Sequence, residues 1–346
     1  MSARTWGFKS PLAHTMAAAG QERRVGRRAR VGRAVLAVAV GTAALIGLAA
    51  DGAVGASRRP GLTIAVITHG DGGSFWSVAE RGARDAGRDL GVRVRYSEAN
   101  NDPARQAQLI DAAVRAGVDG LAVSAPDPAA IQPALRRAAA AGIPIVTLNS
   151  GAEHFEELGA FTHVGQTEFV AGQGAGARLA AAGATKVLCV VHERGNVGLE
   201  QRCGGAATAF ASGVEAFPVT GSGDLAVTRR ELESKLRGDP SIDAVLALDP
   251  DIAIAVRDAV KSAGSRAQIA TFDLSADVVD AIKVEQILFA VDQQQYLQGY
   301  LPVVFLTLHK TNLNTVGGGK FVLTGPGFVT AENAEQVADL AEAGTR

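Results

Sequence analysis

Short polar side chains gather directly after a series of β-branched runs. They read His69-Gly70-Asp71-Gly72-Gly73-Ser74-Phe75-Trp76, Asn100-Asn101-Asp102, Pro126-Asp127, Asn149-Ser150, His192-Glu193, Asp249-Pro250-Asp251, Asp273 and Asp292-Gln293. Carboxylates and amides of this kind bond to ligand polar groups or cap helices. The set holds no nucleophile with a matching base. Asp249 and Asp273 could form a carboxylate pair, but loose acids are commoner as acceptors and caps than as acid–base catalysts. HGDGGSF lacks both the G-x-G-x-x-G spacing and the lysine–hydroxyl pair of a phosphate cradle, which argues against a nucleotide. His192-Glu193 has no second histidine at helical spacing, so a zinc hydrolase has no support. No cofactor or metal is expected, and an enzyme is the minority reading.

The elements that must hold these residues alternate from Leu62 nearly to the end. Strands are predicted at 62–68, 92–96, 120–124, 144–149 and 161–165, then at 186–191, 214–219, 243–248, 268–272 and 287–292. Helices are predicted to start near Ser74, Pro103, Pro128 and Glu168, with Ser or Asp at or near the cap and proline in the first turn. Such alternation makes parallel sheets covered by helices. Two series of similar size imply two α/β lobes, each a doubly wound parallel sheet, with a cleft between them. Ligands of such sheets bind beyond the carboxyl ends of the strands, where the polar clusters fall.

A chain of 346 residues, 47% of them hydrophobic, is long enough for two packed domains and too apolar for disorder. Its net charge of −1 is uneven. Residues 1–56 hold eight Lys or Arg against two acids and carry +6; the remaining 290 hold 26 against 33 and carry −7. An acidic body repels phosphate backbones, so nucleic acid is not an expected partner. The basic run Arg23 to Arg33 precedes seventeen uncharged residues, Ala34 to Ala50, in the order of an export signal. Val54 and Ala56 suit cleavage before Ser57; an uncleaved membrane anchor is the alternative. No cysteine adjoins the apolar run, which removes a lipid anchor. Residues 1–56 are therefore expected to send the rest to the periplasm or another extracytoplasmic space. There, Cys189 and Cys203 are free to bridge, the alternative being buried thiols.

TIAVIT…SFW…ERGARDAGRDLGV, RQAQLIDAAVRAGVDGLAVSAPDPAAI with Gln108 and Asp111, AGIPIVTLNSG, TFDLS and FAVDQQQYLQGY together resemble the periplasmic sugar-binding proteins of ABC importers, the ribose-binding-protein group. The likeness runs from Leu62 to about Ala334. It implies a type I periplasmic binding fold: two doubly wound lobes joined by a three-segment hinge, closing on a sugar or polyol. The expected lobes are 60–165 plus 293–318 and 166–292 plus 319–346, with crossings near Gly165-Gln166, Asp292-Gln293 and the glycine run Gly317 to Gly319. By the same resemblance Phe75 and Trp76 stack on the sugar, while Asn149, Arg202, Asp249, Asp273 and Gln293 bind its hydroxyls. A carboxylate can accept from two vicinal hydroxyls and a guanidinium can donate to sugar oxygens. Asp249 also has the look of an N-cap before proline, and Arg202 that of a solvated helix charge. Where ribose binders carry an Asp-Arg pair, this chain has Asn149-Ser150, which puts ribose in doubt and leaves room for a hexose, a sugar alcohol or a furanosyl molecule. The implied partner is a membrane permease, met by a monomer. A sensor for a membrane signalling protein would look alike. A repressor of the lactose-repressor type would need a helix-turn-helix where the apolar segment lies.

Overall fold

A computed structural model describes residues 61–346. The proposed export segment and its cleavage position lie outside them. Among the described residues no helix is long and apolar enough to cross a membrane.

The β-branched runs form β1 (Thr63–Thr68), β2 (Arg93–Glu98), β3 (Gly120–Ser124), β4 (Ile145–Asn149) and β5 (His163–Gly165) in one series. The second series is β6 (Val187–Val191), β7 (Glu215–Pro218), β8 (Ala244–Ala247), β9 (Gln268–Phe272) and β10 (Phe289–Asp292). Two further strands, β11 (Val322–Leu323) and β12 (Gly327–Thr330), were not foreseen. They are too short and glycine-flanked to stand out as β-branched runs. The strands make two six-stranded sheets, ordered β11-β5-β4-β3-β1-β2 and β12-β10-β9-β8-β6-β7. All pairings are parallel except β10 with β12. Every residue of β3, β4, β6 and β8 is buried, as strands of a parallel sheet are when helices cover both faces.

In the first lobe, α1 (Ser74–Leu90) and α9 (Gln295–Asn312) cover one face, while α2 (Pro103–Arg115) and α3 (Pro128–Ala140) cover the other. In the second lobe, α4 (Glu168–Ala181) and α5 (Val197–Ala207) lie opposite α6 (Leu225–Gly238), α7 (Pro250–Ala263) and α8 (Ala276–Lys283). The short α10 (Ala338–Glu342) packs beside α8. Asp102, Asp127 and Asp249 cap α2, α3 and α7 ahead of proline. Helices α1 and α9 touch backbone to backbone. A methyl group at Gly299 would strike the carbonyl of Ala79, and one at Gly82 the carbonyl of Tyr296.

The chain passes from the first sheet to the second after β5 and back after β10. The third crossing differs. Strand β11 still pairs with β5, so the chain leaves the first lobe only at Thr324 to Pro326, beyond Gly317 to Gly319. Leu323 therefore closes the first lobe's last segment and Gly327 opens the second's. The glycine run instead makes a turn, in which Lys320 N donates to Gly317 O and Thr162 Oγ1 to Lys320 O.

Candidate functional site

The carboxyl ends of β1, β4, β6, β8, β9 and β10 converge on a cavity between the lobes. It is lined by all seven residues singled out from the sequence: Phe75, Trp76, Asn149, Arg202, Asp249, Asp273 and Gln293. Also on its wall are His69, Asp71, Ser150, His192, Glu193, Asn196 and Ser222.

The lobes are closed on one another. Ser74 begins α1, yet its side chain does not cap that helix: Oγ and the backbone N donate to Asp251 of the other lobe at 2.5 and 2.9 Å. Ser222 Oγ donates to Asp71, and Val197 N to Pro126 O at 3.1 Å.

Phe75 and Trp76 leave the loop after β1 at the start of α1. Their rings meet edge to face at 4.8 Å, and Trp76 meets His69 in the same way at 4.8 Å. Gly70 allows this, because a side chain there would strike the indole. Both aromatics are 5% exposed and also belong to the first lobe's core. Core anchoring and a rim on the cavity are thus the same placement, and it holds the rings rigidly.

Asn149 and Asp273 end their strands with φ of 61° and 69°. The left-handed region is costly for most side chains and least so for Asn and Asp, and such strain persists where surrounding bonds impose it. A buried amide chain imposes it here. Ser150 Oγ donates to Asn149 Oδ1 at 3.0 Å, Asn149 Nδ2 to Gln298 Oε1 at 3.3 Å, Gln298 Nε2 to Gln293 Oε1 at 2.8 Å, and Gln293 Nε2 to Asp273 Oδ2 at 3.0 Å. The chain runs through the hinge and joins the lobes. Asp273 Oδ1 is left buried without a partner, and so is His192 Nδ1. Native interiors rarely leave such atoms unpaired, so both are open to a ligand hydroxyl.

Arg202 lies in mid-α5 and is 4% exposed, so it is not a solvated helix charge. Three of its five N–H groups are engaged within the protein. Its Nε and Nη2 donate to Glu168 at 2.6 and 3.0 Å, its Nη1 donates to Leu248 O at 3.1 Å, and its guanidinium lies 4.5 Å over the Phe272 ring. Asp273 Oδ2 is 3.9 Å away. The sequence gives no hint of Glu168 as its partner, since the two are 34 positions apart. Cys203, next to Arg202, forms a disulfide with Cys189 of β6, which ties α5 to the sheet.

Burial pushes Asp249 up to about 8, with Asp251 adding to the rise, while its carboxylate accepts from the N–H groups of Asp251 and Ile252 at 2.8 and 3.0 Å. In the geometry Asp249 caps α7 and also faces the cavity. Burial raises Asp273 well above the usual carboxylate range against the pull of Arg202. His192 is lowered, chiefly by burial. Burial works against the charge of Glu193, but the contacts with His69 and Asn196 outweigh it and hold Glu193 at about 2. Burial likewise opposes the charge of Arg202, which Glu168 more than restores.

Among the described residues no group of three or more His, Cys, Asp or Glu is placed to hold a metal. The cavity is rich in acceptors, its one guanidinium is already paired, and an aromatic edge borders it. That arrangement suits a neutral ligand bearing hydroxyls on several sides, not an anion. His69, Asp71, Ser150, His192 and Glu193 follow strand ends and were legible as polar clusters. Asn196 and Ser222 sit one loop further on and carried no signal.

The profile of the periplasmic binding protein domain matches residues 64–311. The chain is similar to the ribose import binding protein of Bacillus subtilis, 27% identical over 250 residues, which are 70% of this chain and 78% of that protein. Among solved structures it is similar to a carbohydrate transporter from Acidothermus cellulolyticus in complex with myo-inositol. The identity is 45%, the TM-score 0.81, and the match covers 83% of this chain and all (100%) of that one. A solute-binding protein of Burkholderia graminis in complex with D-arabinose shares the fold, at 24% identity and a TM-score of 0.71 over 79% of this chain and 96% of that one.

Proposed function

The chain belongs to the periplasmic binding protein domain family, and from that premise we propose that it captures one sugar or cyclic polyol between its lobes outside the cytoplasmic membrane and presents it to the permease of an ABC importer. The observation that carries this reading is the convergence of Asn149, Asp249, Asp273 and Gln293 with Phe75 and Trp76 on one interlobe cavity. The ribose import binding protein and the sugar-binding structures among its relatives support solute binding rather than catalysis.

The ligand is a neutral ring with hydroxyls around its rim. Asn149 and Ser150 supply neutral groups where ribose binders place a charged pair. Arg202 is held by Glu168 with its charge near Asp273, and its remaining N–H groups face the ligand. The unpartnered Asp273 Oδ1 and His192 Nδ1 then accept from ligand hydroxyls. Myo-inositol, the ligand named for the 45% identical structure, fits these requirements and heads the candidates. Closure follows ligand capture by one lobe, since contacts made to the other lobe favour the closed state by their own free energy.

Calorimetric titration with myo-inositol, hexoses, pentoses and linear polyols should show one tight ligand among the rings. Asp273→Asn should weaken it by roughly 10- to 150-fold, the equivalent of one charge-assisted hydrogen bond at about 1.5–3 kcal/mol. Binding of an amino acid or peptide in place of every sugar and polyol would overturn the reading.

A further inference from the structure

A second cavity lies beside the first, lined by Asn101, Pro103, Gln106, Pro126, Asp127, Arg194 and Gly195. His69, Glu193 and Asn196 line both. The interlobe space is therefore two chambers with one thin partition. The second faces outward, since Asn101, Pro103, Arg194 and Gly195 are exposed, while His69 and Asn196 in the partition are each 4% exposed.

The partition is built by both lobes and bonded throughout. His69 comes from the first lobe, where its backbone N and ring Nδ1 lie 2.9 and 2.7 Å from Ser124 Oγ. Glu193 and Asn196 come from the second. Asn196 Nδ2 donates to Glu193 Oε2 at 2.6 Å, and His69 Nε2 lies 3.4 Å from the same oxygen. With its amide nitrogen turned inward, Asn101 donates to Glu193 Oε1 at 3.1 Å and to His69 O at 3.0 Å. Asn196 Oδ1 accepts from Ser150 Oγ at 3.3 Å and from Gly198 N at 3.0 Å, which fixes it as the cap of α5. Glu193 thus takes donors from both lobes. The partition exists in this form only when the lobes are closed.

We propose that His69, Glu193 and Asn196 form a size-limiting wall that restricts the ligand to a single unsubstituted ring, because a glycosyl or other ring substituent pointing toward the second chamber must break the wall and with it the closed state. This rests on the proposed function of the inner chamber and adds the residues that set its limit. Discrimination comes from the cost against the wrong ligand: a substituent displaces His69 and Asn101 from a buried carboxylate and leaves its charge unpaired.

The test measures, by calorimetry on the full-length protein, the ratio of affinities for a bound ring and for its set of monoglycosides, for instance myo-inositol against its galactosides. Wild type should favour the free ring on the order of 100-fold or more, the range in which a site rejects a ligand that unpairs its buried polar groups. Glu193→Ala should cut that ratio about tenfold or more, whereas Glu193→Gln, which keeps the bulk and loses only the charge, should cut it by less. The ratio cancels any general loss of closure that weakens both ligands alike. Asn196→Ser shortens the same wall while keeping a helix-capping hydroxyl, and supplies the second opening if Glu193→Ala does not fold. Wild type binding a glycoside as tightly as its ring, or a ratio unmoved in both shortened variants, would overturn the wall alone. Binding of no ring at all would overturn the sugar reading and the wall with it.

Discussion

Glu168→Gln removes the charge that compensates Arg202 without changing the shape of the site. The two side chains are 1% and 4% exposed and share two bonds at 2.6 and 3.0 Å. Charge-assisted hydrogen bonds contribute about 1.5–3 kcal/mol each, so the pair of bonds is worth roughly 3–6 kcal/mol, and orphaning one member of a buried ion pair costs about 3–5 kcal/mol. Neither remaining partner replaces the carboxylate. Leu248 O already takes one guanidinium N–H, and Asp273 at 3.9 Å is beyond hydrogen-bond distance. We expect Glu168→Gln to lower the free energy of urea unfolding by about 3–5 kcal/mol, followed by far-ultraviolet circular dichroism. In Glu168→Gln with Arg202→Met both charges are gone and a thioether stem lies over Phe272, so at least half of the loss should return. A single-variant loss below about 1 kcal/mol, or a double variant as destabilised as the sum of the singles, would refute the claim that this pair is a compensated buried charge.

Gly299→Ala should destabilise the first lobe by about 3 kcal/mol or more, because its methyl meets the Ala79 carbonyl and α1 must shift bodily; a thermal melt within a degree of wild type would contradict the backbone contact. Asp249 has a folded-state pKa of about 8, raised from the ordinary 3.8. Its protonated form is favoured by folding, so its contribution is fully present below about pH 4 and is lost as pH rises through about 8. Relative to Asp249→Asn, the ligand-free protein should lose stability from pH 4 to pH 8, on the order of 1 kcal/mol per pH unit at the steepest, and then level off. Parallel stability curves for the two proteins over that range would remove Asp249 as a buried acid.

Much of the fold was legible because parallel sheets bury whole strands. Runs such as 121–123 and 187–191 are apolar without interruption and fit between two layers of helix. The caps were legible too, since Asp102, Asp127 and Asp249 precede proline and act locally. Strands β11 and β12 were not, because two and four residues beside glycines owe their strand conformation to β5 and β10. The third crossing moved for the same reason: glycine marks where a chain can turn, whereas pairing decides where it leaves a sheet.

The residue types at the strand ends put Asn149, Asp273 and Gln293 near one another by topology alone, and Phe75-Trp76 beside them. That much belongs to the sequence. What each group is free to do belongs to the tertiary structure. Arg202 reads as a ligand donor, and only the fold shows that Glu168 already holds two of its N–H groups; Ser74 reads as a helix cap until Asp251 reaches across the cleft. Glu193 reads as a lone acid after a strand until closure sets His69 and Asn101 against it. Local patterns fix backbone conformation because those energies are short in range along the chain. Partner choice among buried charges is settled by contacts 34 to 177 residues apart, and only the folded, closed chain brings them together.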